Sequence, residues 1–497
     1  MKSSHAVGPS ARLKAAFLSL SLSMFLAACG GGGAGTDTVA GNGSGSTGNS
    51  TADEIGVGAP GATNDDTVKR LTDVGAANRT FYVATNGSDA ASGLDINTPF
   101  LTIEKALASV GPGDTIVVRE GTYRPTGNGF VLRTAGTAEA RIKIKAREGE
   151  KVVLDANGSN TAIYVMSYAP YWIVEGLELS GGGPTGASCG ASWGYSIKID
   201  SHHVNLVNSD LHGSICDVVK LVSTSDDVVI YGNKIHDNGA GNAQGVDIVG
   251  ADRTWIARNH VYRVGSIALY AKGNSRNTVF ENNLIENVPS RGIMLGQSTG
   301  TEFMQDGRYE TYDGVIRNNV IVGSRDACLA TASSYNVKIY NNSCYDVTSR
   351  HGAIFISNES EYQQAGTNVE VKNNIIMTRP GSGTHMVKLG PNAMTDMGTL
   401  QMDNNLYWNG SGEGSMTFFS DNAGGGTFTL ANWRGAVGQD RATVVADPKF
   451  ADVATLTLAE DSPAIDVGVT TDVVKVDYAS NSRPRGAGMD IGAYEVR

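Results

Sequence analysis

A chain of 497 residues with a formal net charge of −11 is a poor candidate for a nucleic-acid binder, which needs a basic surface. With 40% hydrophobic and 18% charged residues it has material for a sizeable core, and beyond its N-terminus no stretch is long and apolar enough to span a bilayer. An anionic glycan stays compatible with this charge, provided local Lys and Arg or a bound cation offsets it.

The N-terminus places Lys2, Arg12 and Lys14 before an apolar run over 15–25, closed by Leu26-Ala27-Ala28-Cys29. A basic start, a short apolar core and small residues before a cut form a secretory signal over residues 1–28, too short for a membrane span. Leu26-Ala27-Ala28-Cys29 resembles a bacterial lipobox, which implies lipidation of the Cys29 thiol. Glycine and not aspartate follows Cys29, and by resemblance to other lipoproteins this implies the outer membrane, on its periplasmic or outward face. Residues 29–78 are mostly Gly, Ser, Thr and Asn, a composition that forms no core and predicts a flexible tether. The expected product is a monomer held to the membrane by its lipid alone.

Residues 79–112 predict an N-terminal cap. Ile103, Ala106, Leu107 and Val110 have the spacing of one apolar helix face. From 113 to 410 a single phrase then returns: an apolar residue, two variable positions, Asn, one variable position and a second apolar residue. Its asparagines are Asn233, Asn259, Asn283, Asn319, Asn342, Asn374 and Asn405, with steps of 26, 24, 36, 23, 32 and 31 residues. A minimum near 23 with occasional excess means one structural coil with loops of varying length. The apolar positions suit short strands, so the class is all-β and the architecture a parallel β-helix solenoid. Each Asn is expected to stack on the Asn of the next coil and to hold a turn. Residues 411–497 predict a β-rich C-terminal tail.

Setting Cys29 aside leaves four cysteines in an oxidising compartment. Cys189 and Cys216 lie about one coil apart, so stacking can join them in a disulfide. Cys328 and Cys344 are closer than a coil, and their pairing is left open.

Several segments carry a resemblance. Phe81-Tyr-Val-Ala-Thr-Asn-Gly-Ser-Asp89 and Pro112-Gly-Asp-Thr-Ile-Val-Val-Arg-Glu-Gly-Thr-Tyr123 resemble the opening of bacterial right-handed parallel β-helix proteins, polysaccharide lyases and uronate epimerases among them. There a short helix caps the first coil. Asp447-Pro-Lys-Phe450, Ser462-Pro-Ala-Ile-Asp466 and Asp490-Ile-Gly-Ala-Tyr-Glu495 resemble a tail found on many secreted β-helix proteins. Fold is implied strongly by these motifs and chemistry weakly, because the fold carries lyases, hydrolases, epimerases and binders alike.

Strand alternation places Val219, Leu221, Val246, Ile248, Ile267 and Leu269 inside, and Lys220, Asp247, Tyr270 and Lys272 outside on neighbouring coils. Asp217 and Arg291 fall at the turn entering the same strand position. Acids, a phenol and lysines on one face are the parts for β-elimination from a uronate, in which a base takes the proton next to a carboxylate that a cation or Arg neutralises. The block from Asp217 to Asp247 resembles the calcium-site region of polysaccharide lyase family 9, the pectate lyase L group. The resemblance implies Ca²⁺ held by Asp217 and Asp247, although Ala243-Gln244 stand where that family carries two acids. It places the base near Tyr270 or Lys272. A second resemblance, to the family 6 chondroitin and alginate lyases, places Lys272 on the basic lysine and Gly296 where an Arg is expected; Arg350-His351-Gly352 resembles that family's Arg-His-Gly.

The expected roles are therefore Lys272 as base with Lys220 second, Arg291 on the substrate carboxylate, Asp217 and Asp247 on Ca²⁺, and Tyr270, His212 and His236 as contacts to an acidic polysaccharide. His212 and His236 sit one coil apart, followed in their column by Tyr262 and Glu286, and a hydrogen-bonded turn column is the alternative for them. Trp172, Trp255 and Trp408 are either sugar platforms or core. Two other functions fit the same chain. A glycoside hydrolase would use paired carboxylates such as Asp217 with Asp247 or Asp226 with Asp227, and a glycan-binding protein would use none.

Overall fold

The computed structural model describes residues 64–304, 308–358, 364–422 and 425–496. The expected signal peptide, Cys29 and most of the expected tether lie outside the described residues. Among the described residues no helix is long and apolar enough to cross a membrane.

Three long, mainly parallel sheets run the length of the solenoid, and each coil contributes one strand to each in turn. One coil reads Val246–Val249 in the first sheet, Trp255–Ala257 in the second and His260–Tyr262 in the third; Leu269–Lys272 then returns to the first. Pairing in the first sheet keeps one register from coil to coil, so side chains at equal positions form columns. Inward columns of Val, Ile and Leu fill a continuous core. Ile267 is the exception to the expected pattern: it packs outside that core with Tyr270, Met294 and Phe355.

The turn between the second and third sheets carries the asparagine ladder. Asn233 Nδ2 donates to Asn259 Oδ1 (3.0 Å), and the bond repeats through Asn283, Asn319, Asn342, Asn374 and Asn405 at 2.9–3.0 Å. Each Nδ2 also reaches a strand carbonyl, as Asn259 does to Ile230 (2.9 Å). The preceding residue takes a left-handed backbone, with φ of 54° at both Asn282 and Asn318. Asn tolerates that region, which explains why the phrase so often reads Asn-Asn. The ladder ends on buried Asp440, which also accepts from Tyr407, Trp433 and Thr443.

Both ends are closed. Thr102 caps the helix Ile103–Leu107 by accepting from the Lys105 N–H, and Ile103, Ala106, Leu107 and Val110 are buried with Phe81 and Phe130. At the far end the helix Leu430–Val437 puts Trp433 on Phe418, ring centroids 5.3 Å apart. The tail returns along the outer side of the third sheet, where Ile491 packs with Ile375 and Leu406, and Ala493 with Val320. The fully buried pair Arg483–Glu495 (3.1 Å) braces it.

One part of the stretch expected as tether is ordered. Residues Asn64–Leu71 form a helix whose Leu71 packs with Val207, Val229, Tyr231 and Trp255 on the outside of the second sheet. Asn205 Nδ2 donates to the Leu71 carbonyl (2.8 Å). The outer face of that sheet is apolar there, and the helix covers it.

Candidate active site

The first sheet presents one outward column: Tyr164, Lys198, Lys220, Asp247, Tyr270 and Met294, all in register. Lys272 lies two residues along from Tyr270, opposite Val249. Asp217 stands three residues before Lys220, at the turn entering its strand. Asp217, Lys220, Asp247, Lys272 and Lys198 line one groove of about 960 Å³. Three successive coils thus bring together two acids and two lysines from a window of 56 residues, as strand alternation demands.

Lys220 joins the acids. Its Nζ pairs closely with Asp247 Oδ2 and lies 3.6 Å from Asp217 Oδ2. Burial pushes the Asp217 carboxyl up and the Asp247 charge adds to this; the Lys220 ammonium offsets only part, leaving Asp217 at about 7. Burial works against the Lys220 ammonium, but the Asp247 and Asp217 carboxylates outweigh it and hold the group above its ordinary value. An ammonium so held is a poor base. Lys272 differs. Its Nζ rests 4.5 Å from the centroid of the Tyr270 ring, and among the described residues it makes no ion pair.

Two expected members do not reach the groove. Tyr270 is 4% exposed and its hydroxyl donates to the Gln297 carbonyl (2.7 Å). Residues 296–304 fold over it, anchored by buried Glu310, which accepts from the Thr299 N–H (2.9 Å) and the Gly273 N–H (3.1 Å). Tyr270 therefore supports Lys272 and offers no contact to a polymer. Arg291 is 5% exposed, with Nε 3.3 Å from Asp326 Oδ2 and its guanidinium over the Phe355 ring. Asp326 in turn holds His351 (2.7 Å). Arg291 belongs to this internal cluster and does not meet a ligand in the groove.

His212 and His236 do stack, with centroids 5.1 Å apart, and Tyr262 continues the stack at 4.6 Å. They stand on the third sheet and not on the groove's sheet. His212 Nε2 lies 3.3 Å from Glu178, and His236 lies 2.7 Å from both Asp210 and Asp237, so carboxylates already occupy these rings. Asp226 and Asp227 are paired with Arg253 and lie off the groove. Trp172 and Trp255 are fully buried, their indole N–H groups donating to the Thr134 carbonyl and to Glu281.

The groove has walls that sequence reading missed. Trp193 is 59% exposed and Phe303 58% exposed, and both line it. Trp193 rides on the loop before Tyr195–Ile199. A disulfide between Cys189 and Cys216, Cα atoms 4.8 Å apart, ties this loop to the next coil. Cys328 and Cys344 are also bonded, inside the core. The loop's Gly, Ser and Cys residues have no periodicity, and only the nearness of Trp193 to a cysteine one coil from Asp217 hinted at its place.

Calcium fits this donor set badly. The cation takes six to eight oxygens, and here two carboxylates are available, with Ala243 and Gln244 beside them. Among the described residues no group of three or more His, Cys, Asp or Glu side chains is arranged to hold a metal. An ion touching both acids would also have to meet the Lys220 ammonium, which already pairs with both, and the like charges would repel. One feature points the other way: Asp247 Oδ1 is buried and has no hydrogen-bond partner.

Comparison with known proteins gives the fold and a relationship. A family model described as Pel9A-like, right handed beta helix region, matches residues 81–214, and a general right handed beta helix model matches 183–306. The first match stops just short of Asp217. Pectate lyase PEL9 of Emericella nidulans is 34% identical over 115 residues, which cover 20% of this chain and 28% of that protein. Pectate lyase L of Paenibacillus polymyxa is 31% identical over 166 residues, covering 31% and 36%. The chain thus matches about a third of the length of these curated relatives. The crystal structure of pectate lyase Pel9A superposes with a TM-score of 0.59 at 15% identity, over 86% of this chain and 99% of that one. The solenoid is therefore a right-handed parallel β-helix, and the resemblance to the family 9 pectate lyases stands.

Proposed function

We propose that this protein cleaves an acidic, uronate-containing polysaccharide by β-elimination in the groove of the first sheet. The observation that carries the reading is the convergence of Asp217, Lys220, Asp247 and Lys272 in one open groove walled by exposed aromatics. Its similarity to pectate lyases supports the same chemistry. Lys272 takes the proton next to the uronate carboxylate; the electron pair left behind forms the C4–C5 double bond as the C4–O glycosidic bond breaks, and solvent protonates the leaving oxygen. Lys220, fixed by its two acids, supplies positive charge at the groove floor as charge builds on that carboxylate. Trp193 and Phe303 give sugar rings apolar faces to stack on. Incubating the full-length protein with pectate, alginate and chondroitin polymers tests this by chain length: one of them shortens, and intact polymers throughout would leave only a binding role.

A second reading follows from Asp217. Burial lifts its carboxyl to about 7, the state of a general acid in a glycoside hydrolase, with Asp247 as its partner. Against it, Lys220 joins the two carboxylates where a sugar would have to pass.

Two expectations follow. Trp193→Ala should raise KM for the polymer about tenfold, equivalent to about 1.4 kcal/mol, with kcat and melting temperature little changed. A KM equal to wild type would remove Trp193 from the binding surface. We also place the protein at the outer membrane through lipidated Cys29. Cys29→Ser should move it from the membrane to the soluble fraction, and unchanged partitioning would refute the anchor.

A further inference from the structure

We infer that the ammonium of Lys220 is a built-in replacement for a divalent cation, so that the groove works without bound calcium. The inference rests on the groove being the working site, but its test reads metal binding and not cleavage. Lys220 Nζ is paired with both acids of the expected calcium set, closely with Asp247 and at 3.6 Å with Asp217. It comes from the central position of the strand Val219–Leu221, whose flanking residues are buried, so the strand fixes where the lysine stem leaves the sheet, between the two acids. A tethered cation also explains the neighbouring sequence. Ala243 and Gln244 need carry no charge, and Gln244 donates to Asp217 with its backbone N–H (3.0 Å), its neutral side-chain amide standing beside the same carboxylate. One ammonium balances one carboxylate, and burial beside Asp247 already pushes Asp217 toward its neutral form, so a third or fourth acid would add buried charge with no counter-ion.

The consequence is specific. Removing the ammonium leaves Asp217 and Asp247 facing a shared gap, with the unpartnered Asp247 Oδ1 beside it. That gap should then accept a divalent cation, because it holds two carboxylates whose repulsion the ion relieves. In the full-length protein, melting temperature and titration calorimetry are measured in EDTA and in millimolar CaCl₂. The wild type should melt identically in both and give no binding heat. Lys220→Met, which keeps the apolar stem, should melt lower in EDTA and recover several degrees in CaCl₂. Lys220→Met/Asp247→Asn should fold and be indifferent to calcium. Should Lys220→Met fail to fold, Lys220→Met/Gln244→Asp restores a third oxygen donor and should fold only with calcium. Calcium binding by the wild type that Asp247→Asn abolishes would overturn the inference, as would indifference to calcium of both Lys220→Met and Lys220→Met/Gln244→Asp. A protein that cleaves no polysaccharide still gives one of these results, so failure of the lyase reading is told apart from failure of this one.

Discussion

Lys272→Ala should lower the rate of polysaccharide cleavage by about 10²- to 10⁴-fold, the range for loss of a general base, with the fold intact. The other lysines lining the groove are committed to acids: Lys198 to Asp200 at 2.8 Å and Lys220 to Asp247 and Asp217. Lys272 rests on an aromatic face whose hydroxyl is fixed on the Gln297 carbonyl, in a loop that buried Glu310 anchors through Thr299. Its position is fixed by the strand Leu269–Lys272 and by Tyr270, and among the described residues its amine makes no ion pair. Losing a half-exposed side chain at the end of a strand costs little stability. Lys272→Arg is the informative companion, because guanidinium keeps the charge and cannot serve as a base. Both variants should be inactive and melt with the wild type. A folded Lys272→Ala protein at full activity would remove the assignment.

Asn283→Ala should destabilise the solenoid by about 2–4 kcal/mol, the sum of the desolvation costs of the partners left behind. Asn283 is fully buried and works in both directions along the ladder. Its Oδ1 accepts from the N–H and Nδ2 of Asn259, both at 3.0 Å, and its Nδ2 donates to Asn319 Oδ1 and to the Ile256 carbonyl. The substitution takes partners from buried groups on both neighbouring coils at once. Urea denaturation followed by far-UV circular dichroism should show a clearly lower midpoint than the wild type. An unchanged midpoint would mean that the stacked asparagines decorate the turn and do not hold it.

The sequence carried the fold almost whole, because the ladder asparagine and its two apolar neighbours are local features that recur with the coil. Asp217, Lys220, Asp247 and Lys272 were placed on one face by the same logic, since a parallel register turns equal positions into columns. What alternation could not show was burial by loops. Tyr270 points outward by sequence and Arg291 falls at the turn entering the strand, yet the Gln297 loop takes the Tyr270 hydroxyl and Asp326 pairs with Arg291. His212 and His236 were correctly stacked but stand on another sheet, a distinction that one-coil spacing alone cannot make. Residues 64–71 read as tether because their four charged side chains hide two apolar ones, Val68 and Leu71, that find a partner only in the folded second sheet.

The claim that the groove performs β-elimination is tested most directly by counting two kinds of chain end in one digest. Each elimination leaves one unsaturated uronate, absorbing near about 235 nm, for every new reducing end, because the abstracted proton leaves a double bond conjugated to the carboxylate. With the polymer that the full-length protein shortens, the two counts should rise together in equal number, and both should vanish in Lys272→Ala. New reducing ends without absorbance would contradict the account and identify a hydrolase built on Asp217 and Asp247.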